Sequence, residues 1–187
     1  MVVMGHGKHM FNSRQGDGHY RIDIGIQGPE DFWTTTAADL TDVGTVKNFL
    51  LQDEYFGSYS PEMQEIIRQS EGPFRPWLMY YMPTERLNWL PAPSTTLIGD
   101  AAHVNTPFVG DGVNAAMRDA VILATKLKEY GVGVKAVEEY EKEMFPYAID
   151  VITRSVASGH MFFAKNAPSE FLHAMKSAPL IGTTDNY

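Results

Sequence analysis

The chain has 187 residues and no cysteine, which excludes disulfide bonds, thiolate metal sites and a cysteine nucleophile. Positive charge is also scarce, since 15 lysine and arginine residues stand against 23 aspartate and glutamate residues, for a formal net charge of −8. Phosphate backbones and anionic membranes are bound through lysine and arginine, so we expect neither nucleic acid nor a membrane as a partner. No apolar run approaches the length of a spanning helix. Together these features predict a cytoplasmic protein.

The composition is that of a chain with a packed core, with 44% hydrophobic and 12% aromatic residues. Two strands are predicted at residues 1–11 and 19–27 around the turn-rich residues 12–18, because apolar and polar residues alternate in the second strand. The aromatic and apolar residues 74–82 predict a strand covered on both faces, and residues 95–98 predict a short strand.

Helices are predicted where apolar residues recur at helical spacing behind a capping residue or a proline. Because the strands come first and most helices later, the expected fold class is α+β. The predicted helices run from the capping residue Asp42 to about Tyr55, from Ser60 and Pro61 to about Ser70, from about Gly112 to Gly131, from about Val134 to Ser158 with a kink at Pro146, and onward from Pro168.

The most informative segment comprises residues 97–114. It reads as an apolar strand ending in Gly99 and Asp100, a loop rich in proline and glycine, and a helix that opens near Asn114. Glycine lets a backbone approach a flat or phosphorylated ligand closely, and a helix start offers free N–H groups and a partial positive charge. The segment therefore predicts a ligand-binding loop ahead of a helix.

The spacing of this segment resembles the flavin-contacting motif of the FAD-dependent aromatic-ring monooxygenases, the family of para-hydroxybenzoate and salicylate hydroxylases. Within that family, the segment resembles the fungal polyketide hydroxylases and the tetracycline-inactivating enzymes more than the other members. The resemblance covers residues 74–130. It implies FAD as cofactor, NAD(P)H as reductant and an aromatic or polyketide-like substrate. The cofactor-contacting residues that it implies are Gly99, Asp100, Pro107, Gly110, Gly112, Val113 and Asn114.

The resemblance gives these residues different tasks. Asp100 would hydrogen-bond the ribityl chain of FAD, Pro107 would pack near the isoalloxazine ring, and the backbone amides from Gly110 to Asn114 would meet the pyrimidine edge. Each also has a purely structural alternative: a loop-capping aspartate, a turn-forming proline, or a helix start without a ligand. His103 is expected to be structural, and Asp119 is expected to serve helix packing or hydrogen bonding.

Members of the resembled family are longer and begin with a Rossmann βαβ unit that holds the ADP part of FAD. We find neither that unit nor the family's second Asp-Gly motif in this sequence. Under the resemblance, residues 1–92 are a substrate-binding β-sheet with two inserted helices, and residues 93–187 carry the flavin motif and the C-terminal helices. Exposed sheet edges and an exposed apolar face of the helix after Gly112 then predict a homodimer or a partner chain that covers them.

Several functions remain open for such a truncated monooxygenase. The chain can be a fragment, or one subunit of a split enzyme that needs its partner for redox chemistry. It can instead be a flavin-independent cyclase or isomerase of a natural-product pathway, or a non-catalytic small-molecule binder. For the redox-neutral enzyme, the candidate acid–base residues are His103, Asp100, Tyr80, Tyr81 and Arg86. A metal site is not predicted, because His6 and His9 lack a third ligand at convincing spacing.

Overall fold

The computed structural model describes residues 2–36, 38–93 and 95–177, and within them the fold is α+β, as predicted. Among the helices of this described part, none combines the length and the apolar character that crossing a lipid bilayer requires. In chain order the elements are β1 (Val2–Gly5), β2 (Lys8–Arg14), β3 (Tyr20–Ile26), α1 (Phe32–Thr35), α2 (Val43–Leu50), α3 (Pro61–Gln69), α4 (Asp100–His103), α5 (Gly112–Tyr130), α6 (Val134–Phe163) and α7 (Ala167–Ser177), with 3₁₀ turns at Thr84–Arg86 and Pro107–Val109.

The chain divides into two compact units. The first comprises the described residues up to Leu78 together with those from Phe162 onward, and the second comprises Met79–Met161. The domain division expected from the sequence, between residues 92 and 93, stays a prediction.

The sheet of the first unit is an antiparallel meander in the order β1-β2-β3. The prediction of one strand over residues 1–11 was wrong, because the chain reverses between β1 and β2. His6 and Gly7 have φ angles of +52° and +76°, and two consecutive positive values define the tight turn whose twist suits a hairpin. Glycine adopts such angles without strain, so the reversal is encoded at Gly7.

The core of the first unit lies between one face of this sheet and helices α2 and α3. Met10 of β2 is fully buried with Leu50, Phe56 and Ile67. The helix starts were predicted correctly, since the Asp42 carboxylate accepts from two amides of the first turn of α2 and α3 begins at Pro61. Helix α2 ends at Leu50, before the predicted end near Tyr55, because the chain turns back there and brings Phe56 into the core.

The second unit is built on α5 and α6. The start and the end of α5 were predicted correctly. Helix α6 starts at Val134 as predicted but continues past Ser158 to Phe163. Its buried cluster includes Leu87, Ala102, Tyr140, Met144, Ala148 and Ile152.

Two predicted strands do not form. Residues 74–82 contain no regular element, Pro76 interrupts them, and Trp77 is 84% exposed. Residues 95–98 form only an isolated bridge between Ala92 and Thr95. A strand needs a hydrogen-bonding neighbour, and in the described residues the sheet comprises β1, β2 and β3. Side chains of α6 bind the segment instead, as shown below.

Candidate functional site

The turn at Gly99 is the first part of the candidate site. Gly99 has φ +58° and ψ −143°, a conformation that side-chain-bearing residues rarely adopt. Its N–H donates to the Asp119 carboxylate at 2.8 Å, and an added Cβ would lie 3.1 Å from the Cβ of Ala116. Residues of α5 therefore fix the turn. Helix α4 begins directly after it, and Asp100, the first residue of α4, is exposed.

A buried histidine–aspartate pair lies behind this turn. Nε2 of His103 is 2.6 Å from Oδ2 of Asp119, and each residue is only 1% exposed. The other oxygen of Asp119 is buried without a hydrogen-bond partner. Burial, with a contribution from the nearby Asp119 carboxylate, raises the pKa of Tyr140 well above its usual range. The Tyr140 hydroxyl donates to the Leu97 carbonyl at 2.9 Å, so α6 satisfies a group that a sheet would otherwise bind.

The start of α5 is the second part of the site. Gly110 is left-handed at φ +73°, and α5 begins at Gly112. Asp111 is the N-cap residue, yet its side chain accepts no capping hydrogen bond. Its carboxylate instead accepts from the Arg154 guanidinium of α6 at 3.1 Å. The first N–H groups of α5, which have no acceptor within the helix, are thus left without a side-chain cap.

Helix α6 supports the loop between the two parts. The hydroxyls of Thr106 and Ser155 lie 2.8 Å apart, and the Ser155 hydroxyl also donates to the Thr106 carbonyl. An added Cβ at Gly159 would lie 2.7 Å from the ring of Phe108, so this glycine makes room for the ring. Together with Arg154, these contacts anchor the loop from one helix.

Glu141 of α6 anchors the segment before the motif. One of its carboxylate oxygens accepts from the Trp89 indole and from the Thr96 hydroxyl, each at 2.8 Å. Glu141 is 2% exposed, and its other oxygen is buried without a hydrogen-bond partner. Sequence reasoning missed Glu141, Arg154, Ser155 and Gly159. The available signal was that Glu141, Ser155 and Gly159 are polar or small residues on the buried side of a long helix, whereas Arg154 is exposed and gave no such signal.

The structure places most of the predicted cofactor-contacting residues at the surface. Asp100, Pro107, Gly110, Val113 and Asn114 are exposed, Gly112 is partly buried and Gly99 is buried. Of the residues considered for redox-neutral catalysis, Asp100, Tyr80, Tyr81 and Arg86 are also exposed. His103 is sealed from solvent, with Nε2 bonded to Asp119.

An apolar face of α5 is exposed beside its start. Val113, Met117 and Val121 recur every four residues and are 68%, 59% and 67% exposed. Leu97 and Ile98 are exposed as well. The expectation that the helix after Gly112 exposes part of its apolar face is confirmed. We call the three exposed residues of the helix, Val113, Met117 and Val121, the α5 apolar patch.

Comparison with known proteins shows which proteins this chain is similar to. Residues 94–155 match the family described as FAD binding domain. The chain is 33% identical over 99 residues to "Monooxygenase penA" of Penicillium thymicola, covering 49% of this chain and 23% of the relative. It is 38% identical over 85 residues to kynurenine 3-monooxygenase of Flavobacterium psychrophilum, covering 45% and 19%. It is 29% identical over 133 residues to 3-amino-4-hydroxybenzoate 2-monooxygenase PtnB3 of Streptomyces platensis, covering 71% and 33%.

The fold is also similar to that of a solved structure. The structure of Klebsiella pneumoniae HpxO complexed with FAD and uric acid superposes with a TM-score of 0.68 at 21% identity, over 94% of this chain and 42% of that one. These findings support membership in the FAD-dependent monooxygenase family, and they confirm the resemblance predicted from the motif and FAD as the family's cofactor. The chain spans between 19% and 33% of the length of the three relatives named above.

Proposed function

We propose that residues 97–114 form the flavin-contacting part of an FAD-dependent monooxygenase site. The observation that carries the proposal is the exposed start of α5, left without a side-chain cap, in the same unit as the constrained turn at Gly99. A 19-residue helix presents N–H groups and a partial positive charge at its first turn, and these stabilise negative charge placed there. When bound, FAD supplies the redox chemistry, with NAD(P)H as reductant and molecular oxygen as oxidant.

The residues of this chain fit that cofactor. The exposed carboxylate of Asp100 is available to accept hydrogen bonds from the ribityl hydroxyls. An added Cβ at Gly110 would meet no atom within 4 Å, so the space beside this residue, two positions before α5 begins, is open. Arg154 draws the Asp111 carboxylate into an ion pair, which offsets a negative charge that would oppose a flavin anion. The backbone amides of Val113 and Asn114 are then the donors for the pyrimidine edge.

The substrate proposed is an aromatic or polyketide-like small molecule. The names of two relatives identify aromatic substrates, kynurenine and 3-amino-4-hydroxybenzoate. Two further relatives are fungal monooxygenases, penA and asqM, which supports a place in natural-product biosynthesis. The redox-neutral cyclase has less support, because its best acid–base candidate, His103, is buried against Asp119.

We also propose that the complete reaction needs further polypeptide, in the same chain or in a partner. The α5 apolar patch supports this, because exposed apolar residues of that size and spacing on one helix usually lie under another element. The contacts for the ADP part of FAD are assigned to that further polypeptide.

The test is a titration of FAD and of FMN with the full chain, followed by quenching of flavin fluorescence. Because the proposed contacts involve only the flavin end, FAD and FMN should bind within about threefold of each other, a difference of about 0.65 kcal/mol. Asp100→Ala should weaken both by about tenfold, since it removes a charged hydrogen-bond acceptor. Asp53→Ala makes the same change in net charge at another exposed aspartate and should change neither affinity. Absence of quenching by the unaltered chain, or equal effects of the two substitutions, would contradict the proposal.

A further inference from the structure

The turn at Gly99 is enclosed by a ring of hydrogen bonds that starts and ends on one carboxylate oxygen. Oδ2 of Asp119 accepts from the N–H of Gly99 at 2.8 Å and contacts Nε2 of His103 at 2.6 Å. The carbonyl of Gly99 accepts from the backbone N–H of Ala102 and of His103, each at 2.9 Å. The hydrogen bonds thus link the N–H and the carbonyl of Gly99 to His103, the last residue of α4.

This ring connects the two parts of the candidate site. Asp119 belongs to α5, about two turns after its start, whereas His103 belongs to α4, whose first residue is Asp100. Loss of the ring would free the turn to rotate relative to α5. The exposed carboxylate of Asp100 would then lose its fixed position relative to the amides of Val113 and Asn114.

We propose that His103 and Asp119 are positioning residues that hold Asp100 and the start of α5 in the arrangement that binds flavin. The proposal rests on the flavin-binding function given above. His103 touches neither flavin nor substrate, and it acts by donating its Nε2 proton to Asp119. Without that donor, the buried carboxylate loses one of the two hydrogen bonds of its Oδ2 atom to this turn and keeps the one from the N–H of Gly99.

Two substitutions at one position separate the hydrogen bond from the bulk of the side chain. His103→Ala removes the donor. His103→Gln places an amide N–H close to the position of Nε2 and should restore the bond. Met144→Ala is the matched control, because Met144 is equally buried in the core of the same unit but belongs to α6, outside the ring.

The experiment measures amide hydrogen exchange along the full chain and the dissociation constant of FMN. His103→Ala should reduce protection at residues 99–103 about tenfold more than in α6, and should weaken FMN binding about tenfold. His103→Gln should bring both quantities back to within about threefold of the unaltered chain. Met144→Ala should lower protection throughout the unit and leave FMN affinity unchanged in the folded protein.

The two proposals fail in different ways. If His103→Ala lowers protection evenly, or if His103→Gln rescues neither quantity, the positioning role is overturned although flavin still binds. If the unaltered chain binds no FMN, the flavin-binding function is overturned, and with it the positioning role, even where the exchange data show that the ring holds the turn.

Discussion

Replacing Gly99 with alanine tests how tightly the turn is constrained. The backbone angles of Gly99 are nearly exclusive to glycine, and holding a side-chain-bearing residue there costs about 1–3 kcal/mol. The new Cβ would lie 3.1 Å from the Cβ of Ala116, a close contact that adds about 1 kcal/mol at the lower end of overpacking costs. The smaller entropy of the unfolded chain returns about 0.4–1 kcal/mol. The net expectation is a loss of about 1–3.5 kcal/mol of unfolding free energy.

Gly131→Ala is the control for Gly99→Ala. Gly131 ends α5 with φ +77° and ψ 175°, which is also a glycine conformation, but an added Cβ there meets no atom within 4 Å. The control carries the backbone strain without the contact, so Gly99→Ala should cost about 1 kcal/mol more.

Urea denaturation followed by the fluorescence of Trp89 measures both variants. Trp89 belongs to the same compact unit as Gly99 and Gly131, and its indole donates to the buried Glu141. Phenylalanine at positions 33 and 77 removes the other two tryptophans of the chain. A cost of Gly99→Ala no greater than that of Gly131→Ala would show that the contact with α5 does not constrain the turn.

Two further predictions concern buried polar groups. Burial lowers the pKa of His9, with Asp23 partly opposing the shift, so the folded state favours neutral imidazole. The associated stability is complete above the unfolded-state pKa of about 6.5 and falls as the pH drops below it. His9→Gln should flatten that part of the stability–pH curve, whereas the exposed His19→Gln should not. Glu141→Leu leaves the Trp89 indole and a threonine hydroxyl without an acceptor and should cost about 2–4 kcal/mol. Glu141→Gln keeps an acceptor oxygen and should cost clearly less in the same denaturation assay.

Features encoded by neighbouring residues could be predicted from the sequence. Asp42 caps α2 through residues two and three positions away, and Pro61 starts α3 by its own ring geometry. The limits of α5 likewise follow from Gly112 and Gly131. The motif residues were recognised for the same reason, because their spacing is local.

Features that depend on distant residues could not be predicted. Residues 95–98 have the composition of a strand, but in the described chain the Leu97 carbonyl is bound by Tyr140, 43 positions away. The supports of the loop, Ser155 and Gly159, lie on α6, where a serine and a glycine in a long helix give no sign of their partners. Contacts between residues far apart in the chain arise from the packing of the folded protein. The local patterns of a single sequence do not reveal which distant residues will meet.

The placement of a flavin against the start of α5 is tested most directly by a ¹H–¹⁵N correlation spectrum of the full chain titrated with FAD. If flavin binds there, the largest shifts fall on the amides of residues 99–100 and 110–114, while β1, β2 and β3 change little. Shifts concentrated outside these residues, or an unchanged spectrum at the highest soluble FAD concentration, would contradict that placement.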